Sequence, residues 1–160
     1  MKFLKGIALF FLILGAMYLV GPRVENPVFS DEISYVPADL DSLQKWIHKR
    51  EQALGNVRYD NESKIYFEDS IPQKTDYSVI YFHGFTASGK EGDPVHKMVA
   101  HAFDANLYVP RLHGHGLDEE EPMLNFNNED FWESGKEALE VAKRLGDKII
   151  ILGTSHGGSL

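Results

Sequence analysis

The sequence contains no cysteine. A disulfide framework, a zinc site with thiolate ligands and a cysteine nucleophile are therefore excluded for these 160 residues, whereas the cellular compartment stays open. Basic residues are also scarce, because 16 Lys and Arg stand against 24 Asp and Glu and give a formal net charge of -8. A phosphate backbone attracts the opposite sign of charge, so we expect no nucleic-acid partner.

Long hydrophobic runs are missing except for one near the N-terminus. Residues 6–22 contain no charged side chain. This length is the lower limit for a helix that spans a bilayer, and it slightly exceeds the apolar core of a signal peptide. Small residues are poorly placed for signal cleavage, so we predict a membrane anchor over residues 1–22. A cleaved signal peptide and a buried core helix are the alternatives.

The charges on either side of this run predict its orientation. Lys2 and Lys5 precede it, whereas the single Arg23 that follows is accompanied by Glu25. Positive side chains favour the cytoplasmic side, so we expect a single-pass membrane protein with a cytoplasmic N-terminus and its folded part outside. Cleavage of the run as a signal would instead give a secreted or periplasmic protein.

A linker is predicted between the anchor and the folded part. Residues 23–37 include Pro27 and Pro37 among polar side chains. Prolines in polar surroundings favour an extended tether over packed structure. We therefore place the folded domain in residues 38–160.

This domain alternates helical and strand patterns. Helices are predicted over residues 39–54, 94–102 and 129–145, and strands over residues 57–59, 65–67, 78–82, 107–109 and 148–152. The strands 78–82 and 148–152 are apolar almost throughout, which is typical of strands buried on both faces. The alternation predicts an α/β fold with a mostly parallel sheet and helices on both faces.

The helices also carry predicted caps and core faces. Asp93 and Pro94 are expected to be the N-cap and the first residue of the second helix. Its core-facing side chains are predicted to be Val95, Met98, Val99 and Ala102. The core face of the third helix is predicted to consist of Phe131, Gly135, Ala138, Leu139, Ala142 and Leu145.

Residues 153–157 read Gly-Thr-Ser-His-Gly and directly follow the strand 148–152. In a G-x-S-x-G motif after a buried strand, the serine occupies a sharp strand-to-helix turn, and the two glycines leave room for the backbone to double back. We expect the Ser155 hydroxyl to project above the sheet and the His156 N–H to point to the same spot. The alternative is a glycine-rich turn without chemistry.

Further motifs follow one another along the chain. They are HGFTASG at residues 83–89, HGHG at residues 113–116, DFW at residues 130–132 and GTSHGG at residues 153–158. In this order and at these spacings they resemble the α/β-hydrolase superfamily, and within it most closely the group of carboxylesterases, monoacylglycerol lipases and serine aminopeptidases. The resemblance covers the chain from about Ile65 to its last residue.

The resemblance implies that Ser155 is the nucleophile of a serine hydrolase that acts on carboxylic esters or lipid-like molecules, without cofactor or metal. It implies that the backbone N–H groups of Phe85 and His156 form the oxyanion hole. The residues that support these two loops are then His83, Gly84, Gly153 and Gly157. For His83 a packed core histidine is an equal alternative. The His156 side chain is disfavoured as the base because its ring would point away from the serine oxygen.

Two competing motifs have specific defects. Residues 84–90 match the G-x-x-x-x-G-K pattern of a phosphate-binding loop, but Glu91 stands where that loop needs a Ser or Thr for Mg²⁺. His113 and His115 are a candidate metal pair, but Asp118 lies one residue outside the usual H-x-H-x-D register. A metal-dependent hydrolase that uses the HGHG loop is therefore the weaker alternative.

The base of the proposed chemistry is the missing element. A serine hydrolase needs a histidine and a carboxylate that orients it, and in this fold both follow the serine in the chain. Only residues 156–160 follow Ser155, and none of them is acidic. We therefore expect a hydrolase domain truncated after its nucleophile elbow, and a 160-residue chain with little or no activity. A non-catalytic binding protein of the same fold is the alternative from a different class.

Overall fold

The computed structural model describes residues 2–23 and 26–160; Met1 of the predicted anchor, and Val24 and Glu25 of the predicted linker, lie outside the described residues. The helices are α1 (Lys2–Val20), α2 (Leu40–Leu54), α3 (Val95–Ala102) and α4 (Asn128–Leu145). The strands are β1 (Lys64–Tyr66), β2 (Thr75–Phe82), β3 (Asn106–Val109) and β4 (Gly146–Gly153). Two 3-10 turns span Gly89–Gly92 and Ser155–Ser159.

Helix α1 is apolar throughout its central window. The segment Phe3–Val20 has a mean hydropathy of 2.2, and none of it is buried inside the structure. It is the one helix among the described residues that is long and apolar enough to cross a membrane, a property that signal sequences and core helices share.

The four strands form one sheet in the order β1-β3-β2-β4. Strand β2 is parallel to both of its neighbours, with Val79 opposite Leu107 of β3 and Ile150 of β4. Strand β1 pairs with β3 in the antiparallel direction. The α/β content and the mostly parallel sheet that the sequence predicts are therefore confirmed.

The core has two layers, one on each face of this sheet. Alternate side chains of β2 point to opposite faces, as the period of a strand requires. Ile80 and Phe82 belong to the cluster under α2 and α4, whereas Val79 and Tyr81 belong to the cluster under α3. Helices thus cover both faces of the sheet.

Helices α2 and α4 begin and end at residues that are typical helix caps. The Asp39 carboxylate accepts a hydrogen bond from the N–H of Ser42 at 2.8 Å, and Gly55 ends α2 with a left-handed φ of 71°. The Asn127 side chain caps α4 in the same way as Asp39 caps α2. Helix α4 passes directly into β4 at Gly146, where a Cβ atom would lie 2.3 Å from a backbone nitrogen of β2. No other residue type fits this junction without a shift of the backbone.

The predicted start of α3 is wrong by one residue. Pro94 occupies the N-cap position and its side chain makes no capping hydrogen bond, so the helix begins at Val95. The Asp93 carboxylate lies 2.8 Å from the ammonium of Lys97 instead of capping the helix.

The predicted core face of α3 is also wrong for most of its residues. Val95 and Met98 are 62% and 64% exposed, and Ala102 is exposed as well. The buried side chains are those of His96 and Ala100. The ring of His96 packs against Tyr81 at 5.1 Å, and its Nε2 atom donates to the carbonyl of Gly89 at 3.1 Å. His96 and Ala100, which are four residues apart, thus lie on the side of α3 that faces the sheet.

The strand predicted over residues 57–59 does not form. Val57 makes a single β-bridge with Leu117, and Tyr59 is exposed. The other predicted strands are present, and β2 and β4 are longer than their apolar runs.

The described part of the linker has no regular secondary structure, but it is packed against α4. The ammonium of Lys136 lies 2.6 Å from the carbonyl oxygens of both Ser30 and Glu32. Val36 is buried in the core cluster under α2 and α4. We call residues 28–36 the strap; its packing was not predicted from the proline content.

Candidate active site

The chain turns sharply at Ser155 where β4 ends. The N–H of Thr154 donates to the carbonyl oxygen of Phe82 at 3.0 Å and continues the pairing of β4 with β2. Ser155 then has a φ of 50°, in the left-handed region that residues other than glycine rarely adopt. The N–H of Gly157 donates to the carbonyl of Thr154 at 2.9 Å and starts the following 3-10 turn. The exposed Ser155 is thus held in a strained turn at the carboxyl end of a parallel strand.

The two glycines of the motif lie where the backbone folds back on itself. A Cβ atom on Gly153 would lie 2.8 Å from the Cα of Gly158. A Cβ atom on Gly157 would lie 2.3 Å from the carbonyl oxygen of Phe82 and 2.5 Å from that of His83. These distances are shorter than any side chain allows, so the turn brings the Ser155 segment directly against the end of β2.

The loop after β2 is organised by the buried ring of His83. Its Nε2 atom accepts a hydrogen bond from the N–H of Leu112 at 3.2 Å, and its Nδ1 atom lies 3.0 Å from the carbonyl oxygen of Gly84. Because Nε2 accepts, the proton of the neutral ring resides on Nδ1 and is donated to Gly84. Burial lowers the pKa of His83 to about 4. The ring is therefore neutral at pH 7 and connects two loops.

These hydrogen bonds orient the peptide between Gly84 and Phe85. The carbonyl of Gly84 points to the His83 ring and also accepts from the N–H of Ala87 at 3.1 Å. In a planar trans peptide the following N–H, that of Phe85, points in the opposite direction. Within residues 2–23 and 26–160, the N–H groups of Phe85 and His156 donate to no acceptor.

An aromatic cluster surrounds the residue that follows the serine. The His156 ring stacks on Phe131 with centroids 4.3 Å apart, and it meets Phe85 and Phe126 at 5.7 Å. In the described part of the chain its buried Nε2 atom has no hydrogen-bond partner. The ring is therefore packed among apolar neighbours and makes no hydrogen bond with Ser155.

The two histidines of the HGHG loop have separate surroundings. His115 is buried against the ring of His83 at 4.8 Å and donates from Nδ1 to the carbonyl of His113 at 2.8 Å. Burial lowers the pKa of His115. The Nε2 atom of His113 lies 3.4 Å from the carboxylate of Asp130. No group of three metal-binding side chains occurs among the described residues, so the HGHG loop has no ligand set around it.

In the G-x-x-x-x-G-K loop, a carboxylate of the protein itself binds the first backbone N–H. The Oε2 atom of Glu91 accepts from the N–H of Gly84 at 2.8 Å. The ammonium of Lys90 pairs with Asp60 at 3.3 Å. The first loop amide and the lysine of the motif are thus both engaged by side chains of this chain.

Sequence reasoning missed a hydrogen-bonded group beneath these loops. It consists of Tyr81, Glu91 and Thr154, whose side chains are joined by hydrogen bonds of 2.9 to 3.0 Å. Tyr81 lies in the middle of an apolar strand, and Thr154 occupies a variable position of the motif. No local pattern marks either of them.

The Ser155 hydroxyl makes no hydrogen bond to a side chain in the part of the chain that the structure describes.

A scan against protein-family models finds no match for this chain, and a search of curated proteins finds no similar sequence.

Proposed function

We propose that Ser155 is the nucleophile of a serine hydrolase with an α/β-hydrolase fold that cleaves carboxylic esters. The observation that carries this proposal is the left-handed backbone of Ser155 between two glycines that no other residue can replace without a clash. Ligands of parallel sheets bind beyond the carboxyl ends of the strands. Strands β2 and β4 are adjacent and parallel, and their carboxyl ends carry the His83 loop and the Ser155 turn.

The chemistry follows from the groups at these two ends. The Ser155 Oγ atom attacks the ester carbonyl and transfers its proton to a base, and the alcohol leaves after taking a proton. Water then attacks the acyl-serine and releases the carboxylic acid. The N–H groups of Phe85 and His156 stabilise the oxyanion of both tetrahedral intermediates, and such a donor lowers the barrier by about 3 kcal/mol. No imidazole is hydrogen-bonded to Ser155 within the described residues.

The surroundings of Ser155 favour a substrate with an apolar group. Phe85 is half exposed, and its ring contacts Phe126 and His156 at 5.6 and 5.7 Å. An aromatic surface beside the nucleophile binds hydrocarbon by removing it from water. We therefore propose esters with apolar acyl or alcohol groups, lipid-like molecules included.

We further propose that α1 anchors the protein in a membrane as a single span, with the N-terminus in the cytoplasm and the folded part outside. The strap begins at Val28, eight residues after α1 ends at Val20. Eight extended residues cover at most about 29 Å, so the folded part would stay close to the bilayer surface. This position suits an enzyme for lipid-like esters.

A fluorophosphonate probe tests the assignment of the nucleophile. The adduct is located by peptide mass spectrometry in the wild type, in Ser155→Ala and in the matched control Ser159→Ala, whose serine lies on the same 3-10 turn. We expect a slow adduct at Ser155, absent in Ser155→Ala and unchanged in Ser159→Ala, because an oxyanion hole without a base still supports some reaction. Absence of the adduct from the wild type would contradict the proposal. Labelling as fast as in an intact esterase would contradict only the expected low activity.

The membrane assignment has its own test. The full chain is expressed in cells, and the isolated membranes are washed with alkaline carbonate. The mass of the intact protein that stays in the membranes is then measured by mass spectrometry. We expect it to stay in the membrane at full mass. Loss of about the first twenty residues would identify a cleaved signal peptide.

A non-catalytic binding protein is the second candidate. The observation in its favour is that the Ser155 hydroxyl has no side-chain hydrogen bond within the described residues. Such a protein would keep the turn and the free N–H groups but would show no adduct at Ser155 under any probe concentration.

A further inference from the structure

The carboxylate of Glu91 lies beneath the two loops of the candidate active site. Its Oε2 atom accepts from the N–H of Gly84 at 2.8 Å and from the hydroxyl of Tyr81 at 3.0 Å. The Tyr81 oxygen is in turn 2.9 Å from the Oγ1 atom of Thr154. A single acidic side chain therefore connects the loop after β2 with the turn after β4.

The direction of each hydrogen bond in this group is determined. A carboxylate only accepts, so the single proton of the Tyr81 hydroxyl is donated to Glu91. The Thr154 hydroxyl must then donate to the Tyr81 oxygen. Burial raises the pKa of Tyr81, so its phenol keeps this proton at neutral pH. The result is a fixed chain of donors that ends on the Glu91 carboxylate.

The two ends of this hydrogen-bonded group lie next to the two residues of the proposed site, Phe85 and Ser155. Gly84 directly precedes Phe85, and Thr154 directly precedes Ser155. The loops also touch, because a Cβ atom on Gly84 would lie 3.2 Å from a Glu91 oxygen and 3.5 Å from the carbonyl oxygen of Thr154. A shift of Glu91 would thus move the proposed oxyanion donor relative to the nucleophile.

Gly84 is held from both sides of its backbone. Glu91 binds its N–H, and the His83 ring binds its carbonyl oxygen. With both peptide groups of Gly84 fixed, the direction of the Phe85 N–H is fixed as well. A negative charge near a developing oxyanion is unfavourable by itself, so the contribution of Glu91 lies in its geometry.

We propose that Glu91 is a positioning residue that holds the Phe85 N–H in a fixed position and direction relative to Ser155. The proposal rests on the proposed function, because it assigns a role within that site. Glu91 acts through Gly84, Tyr81 and Thr154 and contacts no reacting atom. Glutamine can accept the same hydrogen bonds without charge, so Glu91→Gln should retain the arrangement, whereas Glu91→Ala should lose it.

Amide hydrogen exchange and Ser155 labelling of the full chain test this role together. In Glu91→Ala we expect exchange at the Gly84 amide to rise at least about tenfold and the fluorophosphonate labelling rate of Ser155 to fall at least about tenfold, as the loss of hydrogen bonds to a carboxylate implies. Both quantities should stay within about threefold of the wild type in Glu91→Gln. The control is Glu120→Ala, which removes an exposed carboxylate outside the group.

The outcomes separate this proposal from the assignment of the nucleophile. Faster exchange at Gly84 in Glu91→Ala, combined with a wild type that never labels, would support the positioning of the loop and overturn the proposed function. Unchanged exchange in Glu91→Ala would overturn the positioning role, whatever the labelling rate. Amides of Val79 and Ile150 in the sheet report whether the variant folds. If Glu91→Ala unfolds, Tyr81→Phe is used, and it must slow Ser155 labelling while leaving the Gly84 amide protected.

Discussion

The Nε2 atom of His83 accepts a hydrogen bond from the N–H of Leu112 at 3.2 Å, which ties the loop after β2 to the loop after β3. An imidazole nitrogen can accept only when it carries no proton, so this contact requires a neutral ring. Burial, which lowers the pKa of His83 to about 4, keeps the ring neutral at pH 7. Protonation of His83 at low pH must therefore break the hydrogen bond between these two loops.

Acidification should destabilise the protein through His83. Between pH 6.5 and pH 4 the unfolded chain binds a proton at this ring and the folded chain does not, so the free energy of unfolding falls as the pH falls. The loss reaches about 2.5 kcal/mol at pH 4.5 and vanishes above about pH 7. Urea unfolding at pH 7 and pH 4.5 measures it. His83→Asn should show a smaller difference between the two pH values, and an equal difference would contradict the assignment.

Replacement of Gly157 by alanine should destabilise the fold. The new Cβ atom would meet the carbonyl oxygen of Phe82 at 2.3 Å, so the backbone must move. We expect a loss of about 1 to 3 kcal/mol in urea unfolding. The matched control is Gly158→Ala, whose Cβ would have no neighbour closer than 3.9 Å and should cost less than about 0.5 kcal/mol. Similar losses in the two variants would contradict the crowded turn.

Much of the sheet and the turn could be predicted because their signals are local. Apolar runs mark the two central strands, and the spacing of glycines around Ser155 predicts a turn that the backbone then adopts. The contacts that organise the site depend on residues far apart in the chain. Tyr81 and Thr154 are 73 residues apart, and no sequence pattern relates a tyrosine in a buried strand to a threonine in a glycine-rich turn.

The face of α3 was unpredictable for a related reason. A two-turn helix has few apolar side chains, so their spacing determines its orientation only weakly, and the buried positions are those of His96 and Ala100. The contact of His96 with the carbonyl of Gly89 depends on the 3-10 turn that precedes the helix. Apolar spacing contains no information about that turn.

Removal of one partner from the ion pair between Glu51 and Arg111 should destabilise the protein strongly. Their side chains are only 10% and 12% exposed and lie 2.8 Å apart, and the Ser63 hydroxyl also donates to Glu51 at 2.7 Å. Glu51→Gln leaves the guanidinium buried without its counter-charge, so we expect a loss of about 3 kcal/mol in urea unfolding. The double variant Glu51→Gln with Arg111→Met should lose less than the sum of the single variants.

An exposed pair provides the control for this prediction. Lys74 and Asp147 lie 2.6 Å apart with 45% and 70% of their side chains exposed. Because water screens exposed charges, Asp147→Asn should cost less than about 1 kcal/mol. Equal losses at the exposed and the buried pair would contradict the role of burial.

The strap should detach from α4 when Lys136 loses its charge. The Lys136 side chain is 14% exposed, and its ammonium binds two strap carbonyls and the carboxylate of Glu133. Lys136→Met keeps the aliphatic stem but removes these hydrogen bonds, so cleavage after Glu32 by a glutamate-specific protease should accelerate about tenfold. Lys143→Met, on the same helix but paired with Glu140, should leave the rate unchanged. If both variants are cleaved at the wild-type rate, the hydrogen bonds of Lys136 do not hold the strap, and the aromatic contact of Phe29 with Trp132 at 5.6 Å is the next attachment to mutate.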